Sequence, residues 1–170
     1  MEFYDLIKAR YSVRAYRPDP VSEDTLNRIL EAARLAPTAA NRQPFKLIVV
    51  RTKGREEELR RLYHREWFIQ APIIIGIVAL KEAAWKRRDG KNYAEVDAAI
   101  VMDHLILAAA NEGLGTCWIG AFDPAVAREI FALPDEVEPV AFTPLGYPAD
   151  SPQPKKRKDL SELVCYERWS

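Results

Sequence analysis

Ile73-Ile74-Ile75-Gly76-Ile77-Val78 is a run of β-branched residues, broken by one glycine, with no polar position on either alternating face. Successive side chains of a strand point to opposite sides, so a strand apolar throughout is covered on both and lies inside its sheet. Phe45-Lys46-Leu47-Ile48-Val49-Val50 reads as a second strand. Residues 116–119 read as a brief third, and 137–147 as a last one, placed near an edge because Pro139 and Pro144 interrupt it. Helices fill the intervals. Residues 2–9 make a short one, and residues 54–64 a charged one. Ser22 caps a helix whose stripe of Leu26, Ile29, Leu30 and Ala33 stops before Pro37. A helix over 94–112 is apolar nearly all round and closes at Gly113, which suits a core or interface position. Asp123-Pro124 opens a further helix that ends before Pro134. Few, short strands alternating with helices predict a three-layer α/β/α sandwich on a mixed sheet.

The chain has 170 residues, one domain's worth. Hydrophobic residues at 48% and charged residues at 29% exclude a largely disordered chain. Twenty-five basic and twenty-five acidic residues cancel, so no global field recruits nucleic acid or an anionic membrane. The longest apolar stretch, Ala71 to Leu80, is about half the ~20 residues of a membrane span. Met1-Glu2-Phe3-Tyr4-Asp5 lacks the features of a secretion signal, and two separated cysteines suit a reducing compartment, so the expected location is the cytoplasm.

Several chemistries lack their motif. The stretch nearest to GxGxxG has Trp118 in place of the third glycine, and no GxxxxGK[ST], GxSxG or HExxH occurs. Two histidines and two scattered cysteines offer no transition-metal site, and His104, inside the apolar helix, reads as a satisfied core histidine.

Two basic clusters stand at opposite ends of the chain. Arg10-Tyr11-Ser12-Val13-Arg14, if extended, presents residues 10, 12 and 14 to one side, and Lys155 and Arg157 share a face of Lys155-Lys156-Arg157-Lys158. Guanidinium forks and added point charge are what a phosphate monoester requires, although solvated surface charge accounts for the same runs. In Pro37-Thr38-Ala39-Ala40-Asn41-Arg42-Gln43-Pro44, Asn41 and Gln43 suit the edge of a flat heteroaromatic or simply the loop's own backbone. The glycines of Gly113-Leu114-Gly115-Thr116-Cys117-Trp118-Ile119-Gly120 permit close approach of a ligand, or serve as a helix cap and strand start.

Taken in order, Arg10-x-Ser12-x-Arg14, Pro37-Thr38-x-x-Asn41-x-Gln43-Pro44-Phe45, Gly113 to Phe122, and Leu145-Gly146-Tyr147-Pro148 with trailing Lys155-x-Arg157 resemble the FMN-dependent nitroreductase family over nearly the whole chain. The resemblance implies an α+β sandwich with a largely antiparallel sheet, a single FMN-binding domain over residues 1–170, and a homodimer with FMN at the subunit interface. The extended tail, residues 151–170, would wrap the partner. Arg10, Ser12, Lys155 and Arg157 match positions that hold the FMN phosphate, with Tyr11 where a second arginine is common. Arg14 matches the position near the pyrimidine edge, where a cation stabilises negative charge at N1 and the C2 oxygen. Pro37, Thr38 and Asn41 match a loop given to the other subunit's flavin. Ile119 and Gly120 match the place where a backbone N–H approaches N5, with Cys117 and Trp118 behind the ring.

The implied function is an oxidoreductase passing electrons from NAD(P)H through flavin N5 to an organic acceptor such as a nitroaromatic or quinone, by a ping-pong mechanism. No metal and no catalytic side chain is called for, because tightly but non-covalently bound FMN carries the chemistry. Reductive dehalogenation or flavin fragmentation on the same fold, or a non-redox FMN- or phosphate-binding module, are the alternatives. Residues 81–93 form a short charged connection that implies a smaller lid than larger relatives carry. His64 stands where those relatives place flavin contacts of different chemistry.

Overall fold

In a computed structural model describing residues 1–169, the chain is an α+β fold. It runs through α1 (Phe3–Ala9), α2 (Glu23–Arg34), β1 (Phe45–Arg51), α3 (Glu56–Leu62), α4 (Glu66–Gln70) and β2 (Ile73–Leu80). Then follow α5 (Ala94–Asn111), β3 (Gly115–Thr116), α6 (Pro124–Ile130), β4 (Val137–Gly146) and α7 (Leu160–Leu163). The strands form one sheet in the order β1-β2-β4-β3, each pair antiparallel. The parallel element of the mixed sheet is a single bridge, Ser12 to Thr116.

The strand 73–78 is interior, as its pattern requires. Ile73, Ile75 and Ile77 face one core with Leu26, Ile29, Val101, Met102 and Leu105 of α2 and α5. Ile74 faces a second core with Leu59, Leu62, Phe68 and Phe142, beneath α3, α4 and α6. Each isoleucine taken from water contributes about 1.5–3 kcal/mol, and the two-sided burial produces the three layers. Gly76 lies opposite Phe142 across the ladder, and a Cβ there would stand 2.5 Å from the Phe142 ring. The glycine makes room for the aromatic.

Ser22 caps α2 by accepting from Thr25 N at 3.2 Å, and Asp123 caps α6 by accepting from Ala125 N and Val126 N. Nδ1 of His104 lies 3.1 Å from the Ile100 carbonyl. Among the described residues no group of His, Cys, Asp and Glu could hold a metal ion, and no helix is long and apolar enough to cross a membrane.

β4 lies between β2 and the two-residue β3, next to the sheet edge as its prolines imply. Its prolines are tolerated because Pro139 sits at the register shift opposite Val78, and because β3 pairs with β4 only at Leu145 and Gly146. The strand at 116–119 ends after Thr116, and Ile119 returns to the sheet as a separate bridge to Phe142. Residues 81–93 are exposed at most positions, as expected of a charged connection, and form a hairpin bridged at Lys86 and Asn92 with Trp85 edge-on to Tyr93 at 5.0 Å. α4, unanticipated, is five residues long, too short for a helical repeat to stand out.

Candidate functional site

The N-terminal basic segment is threaded between two parts of the sheet. Val13 N donates to Thr116 O at 2.9 Å, Arg17 N to Tyr147 O at 2.9 Å, and Ala149 N to Ala15 O at 2.8 Å. Val13 is 1% exposed and points inward, which turns its polar neighbours outward. The approach depends on Gly115, where a Cβ would stand 2.6 Å from a Val13 methyl. Tyr16, buried behind this segment, donates its hydroxyl to Val13 O at 3.0 Å, and burial pushes its phenol far above the ordinary range.

This threading carries residues 10–14 alongside the segment that follows β4, and the two enclose a cleft of about 510 Å³. Arg10, Tyr11, Ser12, Arg14, Lys155 and Arg157 all line it. Burial, then the charges of Arg10 and Arg157, push the Lys155 ammonium below its ordinary range. The ammonium is steadied by main-chain carbonyls at the end of α1, Ile7 O at 3.0 Å and Lys8 O, where the helix dipole is negative. No carboxylate pairs with Arg10, Lys155 or Arg157 among the described residues. Unpaired cations gathered in this way suit an anion, although Asp150 also lines the cleft, and the cleft volume is that of a small-molecule pocket.

Strict alternation does not hold. Tyr11 and Lys156 line the cleft as well as their neighbours. For Tyr11 the reason is Asp150, which the sequence reading missed. It accepts from Arg14 N at 2.8 Å and from the Tyr11 hydroxyl at 3.2 Å, while its main-chain carbonyl takes that same hydroxyl at 2.9 Å. Burial, then Asp150, raises the Tyr11 phenol. An aspartate a few residues beyond Tyr147-Pro148 carries no local signal of this role.

Beneath Ser12 lies Cys117, which donates its N–H to Thr143 Oγ1 at 3.0 Å. Burial pushes its thiol up, against the pull of Arg14, a hydrogen bond to Ser12, and Arg10. The N–H of Ile119 is committed to Phe142 O at 2.8 Å. Gly120 is exposed, its N–H has no partner among the described residues, and a Cβ built on it meets nothing within 4 Å. Trp118, beside it, is 38% exposed.

Pro37, Thr38 and Asn41 do not join this cleft within one chain. Their loop holds Ala40, Asn41 and Gln43 at φ of 52°, 52° and 51°, the left-handed region that costs L-residues free energy. Among the bonds that retain it, Thr38 Oγ1 accepts from Gln43 N at 3.0 Å, and Asp97 Oδ1 from Ala39 N at 2.9 Å. Asp97 is 1% exposed, and its Oδ2 has no partner. His64 is exposed and lies outside the cleft.

Comparison with known proteins follows the same geometry. The pattern of the Nitroreductase family matches residues 7–64 and 54–147. An NADH dehydrogenase of Thermus thermophilus is 31% identical, covering 92% of this chain and 92% of its own. An FMN reductase (NAD(P)H) of Bacillus subtilis is also 31% identical, over 86% of this chain and 66% of its own. A crystal structure of a nitroreductase family protein from Clostridium difficile 630 superposes with a TM-score of 0.90, at 38% identity, covering 99% of this chain and all of the other.

Proposed function

This chain belongs to the nitroreductase family, and from that premise we propose that its cleft holds the phosphate of FMN and that the enzyme passes electrons from NAD(P)H to an organic acceptor. It is an oxidoreductase of the kind its relatives represent, with FMN as cofactor and NAD(P)H as donor. The observation that carries the reading is the meeting of Arg10, Lys155 and Arg157 in one cleft, none of them ion-paired among the described residues, with the cleft's carboxylate, Asp150, taken up by Tyr11 and Arg14 N.

The residues present fit the group. Arg10, Arg157 and the Ser12 hydroxyl hold the phosphate, and Lys155 adds point charge from its seat on the α1 carbonyls. Tyr11 is fixed on Asp150 and closes the side of the cleft. Arg14, its backbone fixed by Asp150, also lines the cleft and would supply a permanent cation favouring negative charge on the flavin's pyrimidine edge. The unpartnered N–H of Gly120 and the open space beside it would be available to the flavin ring, with Cys117 and Trp118 alongside. Bound FMN supplies reversible two-electron redox chemistry, so no side chain need act as acid or nucleophile. The buried Cys117 thiol, held protonated, stays out of the reaction.

We assign a homodimer to the working enzyme, with the chain as one domain and residues 151–170 lying across the partner. Leu160 is 72% exposed, Leu163 62%, Tyr166 83% and Trp169 92%, an apolar tail with no cover of its own. The outer face of α5 is similarly uncovered, with Val96 40% exposed and a groove of about 670 Å³ between Phe3 and Leu107. In that dimer Pro37, Thr38 and Asn41 reach the partner's flavin. The enzyme is assigned to the cytoplasm, in keeping with two cysteines not joined to each other.

The nicotinamide and the acceptor use one site in turn, such as a nitroaromatic or quinone following the donor. Initial rates at several fixed donor concentrations then give parallel double-reciprocal lines; intersecting lines would rule out alternating occupancy.

A further inference from the structure

Of the chain's twenty-five acidic residues, Asp97 is the one that is buried, at 1% exposure. It has no ion pair among the described residues. Its Oδ1 accepts from Ala39 N at 2.9 Å, and its Oδ2 has no hydrogen-bond partner there. Taking a carboxylate out of water costs more than one bond to a neutral amide returns. Its place in the first turn of α5, at the positive end of the helix dipole, offsets part of that cost. Ala94 and Ala98 beside it and Val101 one turn on all belong to the apolar core, which an apolar side chain at 97 would extend. The core therefore gives no reason for an acid here, and the reason lies in what Oδ1 holds.

Ala39 opens a single 3-10 turn, Ala39–Asn41, with Thr38 as its N-cap. The Thr38 side chain makes no cap bond to that turn, because its hydroxyl accepts from Gln43 N at 3.0 Å instead. Asp97 supplies from another element the acceptor that the local sequence withholds. The turn needs support. Of the five described non-glycine residues with positive φ, three fall within it or just after it: Ala40, Asn41 and Gln43. At the far end of the loop, Pro44 O accepts from Leu80 N of β2 at 2.8 Å. The loop is thus clamped between α5 and β2, with Asn41, Arg42 and Gln43 exposed between the clamps. Such strain persists where surrounding structure over-determines it, and it gathers at sites of ligand contact.

We propose that Asp97 is a positioning residue for flavin binding: through Ala39 N it fixes the loop 38–43 in the left-handed conformation in which Thr38 and Asn41 meet the partner's flavin. This rests on the reading that the loop faces that flavin. The buried carboxylate is then kept for the site at the expense of the core, as an acceptor set on a rigid helix so that the loop is shaped before the cofactor arrives.

Two substitutions separate holding the loop from holding the fold. Asp97→Asn keeps an oxygen for Ala39 N, whereas Asp97→Ala removes it together with a buried charge and places the best helix former in α5. The alanine variant is expected to bind FMN at least about tenfold more weakly. It should also alter the visible circular dichroism of FMN at saturation, while its melting temperature holds within about 4 °C. The asparagine variant should restore the parental dichroism and bring FMN affinity back to within about twofold. An alanine variant with parental affinity and dichroism overturns the proposal. So does one whose melting temperature collapses while saturating FMN keeps its parental dichroism, because the carboxylate then serves the fold. An asparagine variant as impaired as the alanine one overturns it too. If the alanine chain does not fold, Asp97→Ser, whose hydroxyl turns to the carbonyls of its own helix, is held to the same outcomes. A parent protein that takes up no FMN overturns the functional reading as well, a result distinct from an FMN-loaded parent indifferent to Asp97.

Discussion

The ammonium of Lys155 donates to the main-chain carbonyl of Ile7 at 3.0 Å, joining residues 148 positions apart. That bond brings the C-terminal basic run to the exit of α1, where Arg10 begins the N-terminal one. It brings two charge clusters that are separate in sequence to one cleft.

Loss of one phosphate-holding fork should therefore be felt by the ligand and hardly by the fold. Arg10→Ala and Arg157→Ala are each expected to weaken FMN binding by about 1.5–3 kcal/mol, the value of a charge-assisted hydrogen bond. Quenching of FMN fluorescence by the apoprotein measures this. Lys156→Ala should cost less. Wild-type affinity in both arginine variants would remove them from the site.

Asp150 is predicted to act through its neighbours. Asp150→Ala removes the carboxylate acceptor of the Tyr11 hydroxyl, leaving its main-chain one, and leaves Arg14 N without its acceptor, and should cost about 1–3 kcal/mol in stability and in FMN binding alike. Tyr11→Phe keeps the ring and removes only the hydroxyl. If Asp150 works partly through Tyr11, a double-mutant cycle by urea unfolding gives a coupling between them of about 0.5 kcal/mol or more; strict additivity would separate the two.

The glycines differ in kind. Gly115→Ala drives a methyl to 2.6 Å from Val13 and should destabilise by about 1–3 kcal/mol, lowering the melting temperature. Gly120→Ala meets nothing in the chain, so its melting temperature should hold while FMN affinity falls. A melting temperature lowered as far by Gly120→Ala as by Gly115→Ala would mean that the space is not kept for a ligand.

Stability should decline at alkaline pH. The thiol of Cys117 and the phenols of Tyr16 and Tyr11 are all raised in the folded chain, each first by burial. The folded state therefore keeps protons that the unfolded state gives up near the ordinary values of 9.0 and 10.0. Their contribution is complete below those values and shrinks as pH rises through them. Urea midpoints should fall between about pH 9 and 11, and Tyr16→Phe should flatten that fall. A midpoint unchanged across the range would contradict the buried phenol.

Much of the fold was legible because its signals are local. The all-apolar strand at 73–78, the caps at Ser22 and Asp123 and the periodic stripe of α2 each need only neighbouring residues. What escaped depends on partners far along the chain. Pro139 and Pro144 point to a place near an edge, but the bulge and the short β3 that accommodate them depend on distant pairing. Asp150 is one acid among many until Tyr11 and Arg14 reach it, and Asp97 is an unremarkable helical acid until the loop 38–43 lands on it. The hairpin at 86–92 hides because its charges resemble a solvated connection, whereas its stiffness comes from Trp85 and Tyr93.

The account is tested most directly by comparing the affinities of the apoprotein for FMN and for riboflavin, which differ only in the phosphate. With Arg10, Lys155 and Arg157 gathered on one anion, FMN should bind at least about a hundredfold tighter, and Arg10→Ala with Arg157→Ala should collapse most of that gap. Equal binding of the two flavins by the unaltered protein would contradict it.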